Sequence, residues 1–138
     1  MFSYTKNRIE MKKLNLFLAL VFVSSSVYAE RIKIWESNTS EHFIKSDTVK
    51  YKGKLVTFWL LTNNYLPDES GHLSYKQKIE IDCSYDQLRM LVQIGYQQTM
   101  GSGTSTRFRK TYEEWAEITP ESLGGELYKY LCKKNKTK

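Results

Sequence analysis

The chain has 138 residues, with 21 Lys and Arg against 15 Asp and Glu, a formal net charge of +6, and only two cysteines and two histidines. That length holds one domain, able to bury a core while leaving a large share of its surface exposed. The two cysteines and the distant His42 and His72 lack the ligand spacing of a zinc site, so neither a metal nor another cofactor is expected.

From Met11 the chain reads MKKLNLFLALVFVSSSVYAE. Two lysines, an apolar run from Leu14 to Val23 and a close on Val27, Tyr28 and Ala29 follow the order of a secretory signal peptide. The run is well short of the roughly 20 residues that span a bilayer. Removal after Ala29 is expected, leaving residues 30–138 as one domain without a transmembrane segment. Residues 1–10 lack signal character, so Met11 competes with Met1 as the true start. No cysteine follows the expected cleavage site, and a lipid anchor is not expected there. Export removes Lys6, Arg8, Lys12 and Lys13 against Glu10, which leaves a mildly basic product. Much of its charge lies in the terminal KKNKTK, which reads as a solubilising tail. An exported chain also argues against a nucleic-acid partner.

The first expected strand is RIKIWE. Lys52 and Gly53 then separate two β-rich runs, Thr48 to Tyr51 and Leu55 to Thr62, with Gly53 supplying the positive φ of a tight hairpin. NNYLPDESGH is a loop by composition. In LSYKQKIEIDC, Leu73, Tyr75, Ile79, Ile81 and Cys83 alternate with Ser74, Lys76, Lys78, Glu80 and Asp82, the period of a strand with one wet face. Gln77 breaks the inner face. QLRMLVQIGYQQTM reads as the next strand, GSGTST as a hairpin tip, and RFRKTYEEWAEI as a returning strand or strand plus irregular segment.

A helix closes the chain. Thr119 is its expected cap, Pro120 suits the first helical position, and Glu121 faces the positive end of the dipole. Leu123, Leu127 and Leu131 form one apolar face. Gly124 and Gly125 each cost about 1 kcal/mol of helix propensity relative to Ala, which close approach to the sheet would offset. In an exported chain Cys83 and Cys132 are the available disulfide pair, against the alternative of two buried thiols. Bonded, they staple the helix to the inner face of the strand ending at Cys83. The loop they close is worth about 4 kcal/mol in the chain-entropy description.

Chemistry-bearing residues are sparse. Asp68 to His72, DESGH, hold the residue types of a hydrolytic triad, but triad contacts come from separate elements, and a turn is the simpler reading. GSGTSTR lacks the phosphate-cradling pattern of a P-loop. Glu113, Glu114 and Glu117 read as solvent-facing charge. Arg107, Phe108, Arg109 and Lys110 form the candidate binding segment: the two arginines share one strand face beside an aromatic ring, and guanidinium forks grip acidic glycan, lipopolysaccharide or an acidic protein patch. Trp35, Trp59 and Trp115 are expected in packing. Exposed Tyr65 and Tyr85 are candidate contact residues.

The order of landmarks, a KGK hairpin followed by VTFWLL, then IEIDCS, QIGY, a tryptophan and ITPESLGGELYKYLC, resembles the surface-adhesin protein E family from about Ile34 to Cys132. The resemblance implies a single antiparallel sheet with a disulfide-tied C-terminal helix, in agreement with the residues. It also implies a bacterial envelope protein of a family named for attachment to host proteins, and leaves a homodimer open. Only Cys83, Cys132, Trp115 and Pro120 carry over as positions, all structural. The expectation is therefore an α+β domain with a sheet of about five or six strands, acting as a non-enzymatic binding module for a protein or acidic glycan in the periplasm or at the cell surface. The alternative is a periplasmic inhibitor or immunity-type protein blocking a cognate enzyme.

Overall fold

A computed structural model of the chain describes residues 30–108 and 114–133. The expected leader, the basic tail at 134–138, and Arg109 and Lys110 of the candidate segment lie outside them. The architecture is α+β. Eight strands among the described residues form one antiparallel sheet. They are β1 (Arg31–Glu36), β2 (Ser40–Lys45), β3 (Lys50–Lys52), β4 (Leu55–Asn64), β5 (Ser74–Asp82), β6 (Gln87–Tyr96), β7 (Ser105–Phe108) and β8 (Ala116–Glu117). The order across the sheet is β1-β2-β4-β5-β6-β7, with β3 on β4 and β8 on β6.

The count of five or six strands is thus corrected to eight, and β2 is the strand missed outright. Its residues Phe43 and Ile44 are adjacent and both apolar, because one faces each side of the sheet, so no period of two stands out. The short strands arise where one long strand meets two partners end to end. The end of β4 pairs with β2 from Ser40↔Asn64 to Ile44↔Leu60, and its start pairs with β3 from Lys50↔Thr57 to Lys52↔Leu55. Between them a 3-10 turn, Ser46–Thr48, shifts the chain sideways, and the Trp59 amide donates to Thr48 Oγ1 at 3.0 Å in place of a ladder bond.

One face of the sheet carries the core. Ile44, Val56, Phe58, Leu60, Ile79 and Ile81 pack under Leu127 and Leu131. Those leucines belong to α1 (Leu123–Tyr128) and to the wider π turn, Lys129–Lys133, that continues it. The helix begins later than expected. Ser122, not Thr119, is its cap: Ser122 Oγ accepts from the Gly125 amide at 3.1 Å and donates to the Thr119 carbonyl at 2.6 Å. Pro120 and Glu121 form the preceding turn, with Glu121 at φ 57°. A serine placed two residues later satisfies a first-turn N–H better than Thr119 can.

The glycine pair is required by contact. A Cβ on Gly124 would lie 3.0 Å from Leu88 of the sheet, and one on Gly125 would lie 2.8 Å from the Thr119 carbonyl oxygen. Cys83 and Cys132 are disulfide-bonded, with Cα atoms 5.6 Å apart. The Tyr51 hydroxyl adds a second tie, donating to the Leu131 carbonyl at 2.8 Å.

Candidate functional site

Beyond the helix, the same face turns polar and consumes its own hydrogen bonds. His42 Nδ1 meets Thr62 Oγ1 at 2.9 Å, Thr62 reaches Gln77, and Gln77 Nε2 donates to Gln93 Oε1 at 2.7 Å. This explains the Gln77 break in the strand pattern: Gln77 lies opposite Gln93 in the ladder. Burial lowers the His42 pKa, which favours the neutral ring in this network.

The DESGH segment is a turn held by its carboxylate. Asp68 Oδ1 accepts from the amides of Ser70 and His72 at 3.0 and 2.9 Å, and Asp68 Oδ2 accepts from the Tyr75 hydroxyl. Burial alone would raise the Asp68 pKa, but the hydrogen bonds from Tyr75, His72 and Ser70 prevail and leave it below the usual range. Burial, reinforced by the Asp68 charge, pushes the Tyr75 phenol up to about 12. The His72 ring lies where a Cβ on Gly95 would stand, 2.9 Å away, so the turn is packed onto β6.

Among the described residues no helix lies on the opposite face of the sheet, and residues of five strands gather there. The ladder places Phe43, Leu61, Lys76, Ile94 and Arg107 in one row across β2, β4, β5, β6 and β7. Arg31 stands directly opposite Lys45 at the β1–β2 end. Phe43, Trp59, Leu61 and Ile94 floor a groove of about 360 Å³, flanked by Arg31, Lys45 and Lys76. A space of this size and mostly apolar lining, with a few placed polar groups, suits a ligand.

The groove has a positive field. Among the described residues neither Arg31 nor Lys76 forms an ion pair, and Lys45 reaches only exposed Asp47, at 3.5 Å. Lys76 Nζ lies 5.1 Å from the Tyr96 ring centroid. By contrast, Lys33 pairs with Glu36 and Glu41 at 3.2 and 3.0 Å, and Arg89 with Glu80 at 2.7 Å. The Lys33 pKa is raised by its hydrogen bonds to Glu41 and then Glu36.

The connection from β6 to β7 closes one end of this face. The Met100 amide donates to Asn63 Oδ1 at 2.9 Å and the Gly101 amide to Ser74 Oγ at 2.8 Å. That cover overturns the expected wet position of Ser74, which is fully buried. The tryptophan expectation also changes. The buried core is aliphatic apart from Phe58 and the disulfide-bonded Cys132; Trp59 lines the groove, and Trp115 lies half-buried with the Arg89 guanidinium 4.5 Å from its ring centroid. Tyr65 and Tyr85 are exposed as expected.

Of the candidate segment, Arg107 pairs with Ile94 and therefore joins the groove row, whereas Phe108 pairs with Gln93. Arg31, Lys45 and Lys76 were not singled out as site residues from the sequence. The available signal was basic residues at every second position, Arg31 with Lys33 and Lys76 with Lys78, which marks a basic strand face but not its partners across the sheet.

Comparison with known proteins agrees with this architecture. The profile described as surface-adhesin protein E matches residues 30–133. Among curated proteins nothing matches. Crystal form II of Haemophilus influenzae protein E is similar with a TM-score of 0.62 at 16% identity, over 80% of this chain and 92% of that chain. Protein E from non-typeable Haemophilus influenzae gives 0.60 at 16% identity, over 82% of each chain. At that identity the likeness is one of fold.

Proposed function

The chain belongs to the surface-adhesin protein E family, and from that premise we propose that it is a non-enzymatic, exported binding module of a bacterial envelope that holds an anionic partner on the face of its sheet opposite the C-terminal helix. The observation that carries this reading is the set of Arg31, Lys45 and Lys76 around an aromatic and aliphatic floor. Arg31 and Lys76, without an ion pair among the described residues, and Lys45, which reaches only exposed Asp47, sit beside low-dielectric side chains that focus a positive potential and attract acidic ligands. Arg107 continues the ladder row of Lys76 and Ile94, and Arg109 and Lys110 follow it in sequence. The signal-like Met11 to Ala29 delivers the domain to the periplasm or the surface.

The test uses two charge-removal variants, Arg31→Ala with Lys45→Ala and Lys76→Ala, and Arg107→Ala with Arg109→Ala and Lys110→Ala. Binding of polygalacturonate and of polyglutamate is followed at several salt concentrations. Each triple variant is expected to weaken binding by tenfold or more and to flatten its dependence on salt. Absence of binding to both polyanions rejects the reading; wild-type binding by the second variant confines the site to the groove.

A further inference from the structure

Arg31 and Lys45 are a cross-strand pair of like charges. Directly opposite like charges destabilise an antiparallel pair, and these two occupy one bank of a groove whose other bank carries Lys76. Two inter-strand spacings separate β2 from β5, so the Lys45 and Lys76 backbones stand about 10 Å apart across the strands, on the usual spacing of about 4.8 Å. Between the banks lies Trp59, with Phe43 beside it. We infer that this groove is a subsite for an acidic polysaccharide, whose pyranose ring lies flat on Trp59 while carboxylate or sulfate groups on successive sugars reach Arg31 and Lys45 on one side and Lys76 on the other. The inference rests on the anion-binding reading above and names the ligand class for that site.

Three features select a sugar chain over an acidic peptide. The groove is on a sheet face, so it offers side chains and no row of free backbone N–H and C=O groups, which an extended peptide uses when it adds to a sheet edge. Its lining is drawn from five strands, from Arg31 on β1 to Ile94 on β6, a floor broad enough for a sugar ring to lie flat. Its floor is aromatic and aliphatic, and a pyranose presents an apolar C–H face with its anionic groups at the ring edge. A planar guanidinium at Arg31 can take a carboxylate or sulfate with two parallel hydrogen bonds. An anion there also relieves the repulsion between Arg31 and Lys45.

Full-length mature protein is titrated with oligogalacturonates of increasing length and, separately, with polyglutamate of matched charge. The readouts are the affinity and the Trp59 indole N–H resonance, assigned with Trp59→Phe. Expected are tighter binding of the sugar than of polyglutamate, a shift of the Trp59 resonance, and about tenfold weaker sugar binding by Arg31→Gln or Lys76→Gln. Thermal unfolding of the two Gln variants no lower than that of the wild type shows that the loss is not one of folding. Polyglutamate binding as tightly as the sugar, or sugar binding that leaves the Trp59 resonance in place, overturns the polysaccharide assignment while the anion-binding reading stands. Failure of both polyanions to bind overturns both.

Discussion

The two faces of the sheet are cut from the same strands and treat their side chains in opposite ways. Along β4, Val56, Phe58 and Leu60 fall beneath α1 and are almost wholly buried, whereas Trp59 between them opens into the groove. Along β5, Ile79 and Ile81 join the core while Lys76, on the other face, flanks that groove. The covered face gains its stability from apolar burial, at about 25 cal/mol per Å², secured by a disulfide. The opposite face keeps like charges adjacent and lines its groove with aromatic side chains. A domain this small has few residues to spare for a costly arrangement, so the contrast fits the proposed division between stability on one side and recognition on the other.

The largest way to break that contrast is to release the cover. Replacing Cys83 and Cys132 with Ser is expected to cost about 2–5 kcal/mol, read from denaturant unfolding; a cost near zero would show that the helix holds its place without the bond. Next, Leu127→Ala removes a side chain that is 1% exposed at the centre of the interface and should cost about 2–5 kcal/mol. Lys76→Gln on the other face should change stability by no more than about 0.5 kcal/mol. Equal costs for the two would erase the distinction between the faces.

The smallest effect concerns the turn beside the covered face. The Tyr75 phenol titrates near 12, above its ordinary value of 10.0, so its contribution is complete below pH 10 and is lost as pH rises toward about 12. Asp68 runs the other way: its lowered pKa gives a contribution present above the ordinary carboxylate range and lost as pH falls through the lowered value. Tyr75→Phe should cost about 1 kcal/mol at neutral pH and remove the alkaline step from the stability profile. An unchanged alkaline step would mean that another group produces it.

Much of the covered face was legible because its signals are local. Alternation in β5 and the spacing of Leu123, Leu127 and Leu131 each sit within a short window of sequence, and the cysteine pairing, across 49 residues, followed from there being only two cysteines to pair. The β2 strand was not legible, since Phe43 and Ile44 serve opposite faces and cancel the periodic signal. Nor was the burial of Ser74, which comes from Gly101 and Gln98 folding back onto it.

By itself the sequence determined the class of fold, the cysteine pair and the face of β5 that is apolar, because period and composition are properties of neighbouring residues. Only the tertiary structure decided that Arg31, Lys45 and Lys76 share one groove with Trp59. Their proximity depends on the register of β1, β2, β4 and β5. Register is set by packing across the whole sheet, and a slip of one residue would send each of these side chains to the other face.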